Sequence, residues 1–190
     1  LLGAGMGLVQ GNIPMIRTCF LSIAAGFLLA LVIGALTGLA TMQMYGEMKS
    51  ELLGRCQNDP LDLGVAFFSG IAASFCLARP GLSSALAGVA IAAALVPPIA
   101  TAGIAMTFND PSLPHPDSGQ RLRNAGSAAL LFGTNVVAII LGSALTFFLV
   151  GVRGSKSERS SVWVRRIVLV LLLAFIGLSY LLIHYHLKAV

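Results

Sequence analysis

Two adjacent prolines, Pro97 and Pro98, sit in the middle of an apolar stretch, GVAIAAALVPPIATAGIAM (88–106). Proline has no N–H, and its ring clashes with the carbonyl four residues earlier. The pair therefore frees the carbonyls of Ala93 and Ala94, and Val96, which precedes a proline, is pushed away from the α region. In lipid a freed carbonyl must face protein or a wet cavity. Thr101 brings a hydroxyl nearby, and a later apolar run brings Thr134 and Asn135 to membrane depth. These are neutral oxygens and one amide, which suit a cation or a small polar solute. Broken helices of this kind build midplane substrate and ion sites in transporters. The expected substrate-binding set is Ala93, Ala94, Pro97, Pro98, Thr101, Thr134 and Asn135. The plainer alternative is a kinked helix whose carbonyls are met by neighbouring hydroxyls. Asn135 then makes an ordinary interhelical hydrogen bond, worth about 0.6 to 2 kcal/mol.

Arg79, Ser83 and Ser84 form a second constellation. A guanidinium beside the N–H groups that open a helix makes a site for an anion or a lipid headgroup. The plainer reading of Arg79 is a snorkelling, topology-setting arginine. Asp62 suits a first helical turn beside the positive helix end, and Arg17 suits an interfacial anchor.

Other chemistries find little support. His184 and His186 are two apart on a helix, so they point about 200° from each other and cannot chelate one metal. His115 stands alone among prolines, and no metal site or cofactor is expected. Cys19, Cys56 and Cys76 are far apart without C-x-x-C spacing, which gives no disulfide framework and no zinc site. Gly3, Gly5 and Gly7 follow no strand, so they are packing glycines and not a nucleotide loop. No carboxylate lies at membrane depth to relay protons. No nucleophile, base or metal set gathers at one depth, so no enzyme is expected. No basic stripe with interleaved aromatics points to nucleic acid.

The elements that position these residues follow from composition. The chain has 190 residues, of which 57% are hydrophobic and 10% charged; its mean hydropathy is +0.90. Soluble domains carry about 25% charged residues. Long apolar runs without alternation predict an all-α, polytopic transmembrane helical bundle whose central helix is broken by Pro97-Pro98. Residues 1–9 read as the end of a helix, and Gln10-Gly11-Asn12 as a turn with Asn12 a candidate N-cap. Further helices are predicted over about 15–43, 61–78, 82–107, 124–152 and 165–187, with an aqueous segment at 44–60 and a proline-rich loop at 108–123. The short Arg79-Pro80-Gly81 link makes the helices on either side neighbours. If the 82–107 run crosses fully, Arg17, Arg79, Arg153, Lys156, Arg159, Arg165 and Arg166 share one side, which should be cytoplasmic, and Lys49, Arg55, Arg121, Arg123 and Lys188 share the other; if that run is re-entrant, the count reverses. This makes the chain a multi-pass protein of the cell inner membrane, with the lipid bilayer as a partner.

Small residues recur at helical spacing: Gly34 and Gly38; Ala66, Gly70, Ser74 and Ala78; Ala129 and Gly133, then Ala138 and Gly142. Such ridges let helix backbones approach closely in lipid. The 82–107 run is small nearly all round, so neighbours should surround it. The last run, rich in Leu, Ile and Val, has Trp163 and Arg165-Arg166 at one end and Tyr180, Tyr185 and Lys188 at the other. It reads as a peripheral, lipid-facing helix. The division is a membrane domain over 1–152, a basic loop over 153–164 and a peripheral helix over 165–190.

Residues 88–106, with LARPGLSSALAG (77–88) before them and LLFGTNVVAIILGSAL (130–145) after, resemble the bacterial and archaeal uncharacterised hydrophobic domain family. The resemblance covers roughly 1–152. It implies a helical membrane domain and no established activity. It also places the family's first apolar motif upstream of residue 1, which already lies inside an apolar run. The residues favour a transporter or channel for a small solute or ion beside the proline pair. The alternative is a structural or assembly protein, a homo-oligomer whose small-residue ridges pack copies together.

Overall fold

A computed structural model describes residues 1–42, 60–79, 84–107 and 118–152, with Arg166, Leu169, Val170, Leu173, Ile176, Gly177 and Tyr180. The predicted aqueous segment before residue 60, the loop over 108–117 and the basic loop lie outside the described residues. The described chain forms five helices: α1 (Leu2–Gln10), α2 (Ile13–Met42), α3 (Pro60–Ala78), α4 (Ser84–Thr107) and α5 (Ser118–Val150). The seven described residues beyond 152 are helical and exposed.

The turn between α1 and α2 forms as its residue types dictate. Gly11 adopts φ 70°, a left-handed conformation open to a residue without a Cβ. The Asn12 N–H donates to Gly7 O at 2.9 Å and closes α1. Asn12 Oδ1 then accepts from the Met15 N–H at 3.2 Å and caps the start of α2, as expected from the sequence.

α4 packs against α2, α3 and α5, and α5 packs against α1, α3 and α4. The small-residue ridges supply its closest seams. A Cβ added at Gly70 would stand 2.5 Å from Ile139 O, and one at Gly142 would run into Phe67 O. Ala66, Gly70 and Ser74 of α3 and Ala138 and Gly142 of α5 are all buried. The second seam joins α2 to α4. A Cβ at Gly34 would stand 2.5 Å from Ala100 O, Gly38 faces Thr107, and Gly103 faces Leu31 O. The Thr107 hydroxyl lies 3.2 Å from Ala35 O across this seam and 3.1 Å from Ile104 O of its own helix, so its one proton is shared between the two acceptors.

Three expectations change. α4 is not surrounded: 33% of its most apolar 18-residue stretch is buried, against 56% for that of α5. Leu86, Gly88, Val89, Ala92, Ala93 and Val96 are exposed. Small size permits close approach but does not enforce it in lipid; the interior is filled by the larger side chains of α5, including Leu131, Ile139, Ile140 and Phe147. The expected interruption of α4 is also absent. Pro97 and Pro98 lie inside a helix that continues from Ser84 to Thr107. Proline removes a hydrogen bond, but its fixed φ near −65° is compatible with helix, so neighbours that satisfy the freed carbonyls let the helix pass through.

Finally, α5 begins at Ser118, several residues before the predicted start. Its polar first turns are helical without being lipid-soluble, and apolar periodicity registers only the latter. The apolar span of α5, Arg121–Val150, thus has Asn135 at its centre.

Among the described residues, four helices are long and apolar enough to cross a membrane: Ile13–Thr41, Leu61–Ala78, Ala85–Thr107 and Arg121–Val150. Along the α2 span only Ile16, Gly34 and Gly38 are buried. Leu21, Leu29, Val65, Phe68, Leu86 and Phe148 stand out from the bundle. So large an apolar surface needs lipid around it, and the protein is a multi-pass membrane protein.

Candidate functional site

The polar centre of the bundle is the contact between α4 and α5. Pro98 cannot donate to the carbonyl four residues before it, and that carbonyl belongs to Ala94. Asn135 Nδ2 donates to Ala94 O at 3.0 Å. The backbone defect written by the proline is thus filled by a side chain from the neighbouring helix. Pro98 is fully buried and Asn135 is 4% exposed. The carboxamide orientation follows from this bond, since the reverse would set two oxygens against each other. Asn135 Oδ1 is left buried and, among the described residues, without a hydrogen-bond partner.

The other predicted residues divide. Thr134 is fully buried, and its hydroxyl donates to Leu131 O at 2.8 Å, one turn back on α5. Thr101 is buried, Pro97 half-buried and Ala93 exposed. The structure therefore brings Asn135, Ala94 and Pro98 together, while the Thr134 hydroxyl donates within its own helix. Ser74, Ser143 and Thr146 are buried too, and each donates to a carbonyl of its own helix: Gly70 O at 2.6 Å, Ile140 O at 2.9 Å and Gly142 O at 3.0 Å. Against them the unpartnered Oδ1 stands out.

Around the centre the side chains are apolar. Ile139 and Val136 pack in the cluster that holds Leu95, with Ala94 and Phe132 against it. Phe132 meets Phe27 of α2 with ring centroids 5.0 Å apart. Between α2 and α4 lies a cavity of about 330 Å³, whose lining includes Ser22, Gly26, Gly88, Leu95, Ile99 and Phe132. Sequence reasoning did not find this cavity. Its signal is Gly26 and Gly88, glycines with open space where a Cβ would stand.

Arg79 directly follows α3, exposed, with its guanidinium 5.1 Å from the centroid of the Phe75 ring. Ser84 opens α4, and Ser83 lies outside the described residues. Among the described residues no three His, Cys, Asp or Glu side chains gather closely enough to hold a metal ion.

Residues 1–141 match the family described as Domain of unknown function (DUF389). The chain belongs to the DUF389 family. The match takes in α1 to α4 and α5 as far as Leu141, so both Ala94 and Asn135 lie within the DUF389 region. It agrees with the resemblance to an uncharacterised membrane family and ends earlier than residue 152. No curated protein and no solved structure matches the chain.

Proposed function

We propose that this DUF389 protein is a transporter or channel of the cell inner membrane, not an enzyme. A small solute or ion passes beside Pro97 and Pro98, between α4 and α5. One observation supports the reading above the others: a buried asparagine at the centre of a membrane span holds the carbonyl freed by Pro98 and keeps its own oxygen unpartnered. A contact serving only to glue helices needs no spare acceptor, and an unmet one in a dry interior is costly. Mid-membrane polar groups mark solute and ion pathways by default.

The test is flux into proteoliposomes for the wild type, Asn135→Leu and Asn135→Asp, beside a thermal melt of each. Transport predicts lower flux per folded protein for Asn135→Leu and altered selectivity for Asn135→Asp. Unchanged flux per folded protein in both variants refutes a passage at Asn135. The assembly reading draws on the exposed face of α4, where Gly88 and Ala92 lie. The glycine ridges at 34, 38, 70 and 142 lend it less support, since they meet helices of their own chain.

A further inference from the structure

The geometry points to a ligand class for this site: a neutral hydrogen-bond donor, either water or a small hydroxyl-bearing solute, held by Asn135 Oδ1. The inference rests on the proposed passage and narrows what goes through it. Four observations lead to it.

First, the group left open is an acceptor. Nδ2 is engaged by Ala94 O at 3.0 Å, and Oδ1 has no partner. A carboxamide oxygen accepts and cannot donate, so it repels an anion. Second, a bare metal cation needs about six oxygen ligands. Here the Ala94 carbonyl already accepts from Asn135, and the Thr134 hydroxyl donates to Leu131 O. Asn135 Oδ1, the second lone pair of Ala94 O and the Thr134 hydroxyl oxygen together still fall well short of the shell of oxygens that replaces a cation's water. Third, the described charged side chains within the four spans and just beyond them, Arg17, Asp62, Arg79, Arg121 and Arg123, all lie near helix ends. None is a carboxylate at the depth of Asn135, so a cation there carries an uncompensated charge into a low-dielectric interior. A neutral donor satisfies Oδ1 without that cost.

The fourth observation is the cavity of about 330 Å³. Leu95, which lines it, follows Ala94 directly, and Phe132, which also lines it, precedes Asn135 by one turn. This open space is large enough for a three-carbon polyol; its lining holds the helical neighbours of Ala94 and Asn135 and not those two residues themselves, and its Ser22 hydroxyl donates to Thr18 O at 3.0 Å.

The experiment pairs permeability with a direct probe of the side chain. Proteoliposomes are challenged with osmotic steps of sucrose and glycerol in stopped-flow light scattering, and separately with potassium and chloride gradients. In parallel, protein labelled with ¹³C-asparagine is examined in the bilayer by solid-state NMR. Magnetisation transfer is measured from water and from glycerol to the Asn135 carboxamide carbon, assigned by its disappearance in Asn135→Leu. The expected result is transfer to that carbon, with water or glycerol permeability above protein-free liposomes and no added potassium or chloride conductance. The Asn135→Leu protein should return permeability to the protein-free level.

If no transfer from water or glycerol reaches the carbon, the inference is overturned, whatever the flux. If potassium or chloride flux depends on Asn135 while neutral permeability does not, the ligand class falls and the passage stands. Transfer without any flux leaves the donor site standing and removes the transport reading. The transfer itself is measured on the wild-type chain, and Asn135→Leu enters it only as the spectrum that assigns the carbon.

Discussion

Pro98 and Asn135 should be energetically coupled, and a double-mutant cycle measures the coupling. In the wild type the Ala94 carbonyl has no N–H from residue 98, and Asn135 Nδ2 donates to it at 3.0 Å. Pro98→Ala restores a backbone donor to that carbonyl. Asn135→Leu then removes one of two partners, where in the wild-type background it removes the side-chain partner of a carbonyl denied its helical donor. Any void left by the proline ring is common to both arms of the cycle and cancels. The upper bound on the coupling is the cost of an orphaned buried acceptor, about 1–3 kcal/mol. Interhelical hydrogen bonds in membranes average about 0.6 kcal/mol with a maximum near 1.7. A carbonyl has two lone pairs, so Asn135 keeps part of its bond in the Pro98→Ala protein. A coupling of about 0.6–1.5 kcal/mol is therefore expected. Asn135→Leu also removes the unpartnered Oδ1. Its single-mutant cost should fall below the full orphan penalty, which makes the cycle more informative than either variant alone. Reversible unfolding of the four proteins in bicelles supplies the free energies. Additivity within about 0.3–0.5 kcal/mol, the range for independent sites, would mean that Asn135 is not there on account of the proline.

Two further outcomes follow from the seams. Gly142→Val should destabilise the bundle by about 1–3 kcal/mol or prevent folding, because its new Cβ meets backbone at Phe67 O; Gly126→Ala, with open space around its Cβ, serves as the control in the same unfolding assay. Thr107→Val removes the donor that reaches Ala35 O and should cost roughly 0.6 kcal/mol, close to the membrane average, in the same measurement.

Much of this architecture is legible from residue types. The small-residue spacings at 34/38 and 66/70/74 find the two seams, because in lipid close backbone approach is the main source of helix affinity. Pro98 and Asn135 announce each other through hydrogen-bond accounting: one creates a carbonyl without a donor and the other brings a donor without a carbonyl. The continuity of α4 was not legible. Proline rules describe what a helix loses, and whether it recovers depends on a residue 41 positions away. The start of α5 was hidden for a different reason: Ser118 to Arg123 are helical and polar, so hydrophobicity marks where lipid begins and not where helix begins. Residue size does not reveal the exposed face of α4, because a small side chain permits a close neighbour without requiring one. Its neighbours lie mainly on the opposite side and along its second half, through Ile99, Thr101, Ala102, Gly103 and Ala105.

The centring of Asn135 in the Arg121–Val150 span has an electrical consequence. Thirty residues of helix extend about 45 Å, so Asn135 lies roughly 20 Å from either end. A group at that position sits near the middle of the transmembrane field. Moving one elementary charge across the whole membrane is worth about 2.3 kcal/mol per 100 mV, so a charge lodged halfway would gain or lose about 1.2 kcal/mol per 100 mV. Asparagine carries no charge there, and a neutral guest adds none. Occupancy of the site is then the same in an energised cell as in a depolarised one. For the proposed passage, the membrane potential then exerts no net force on a neutral solute at this depth.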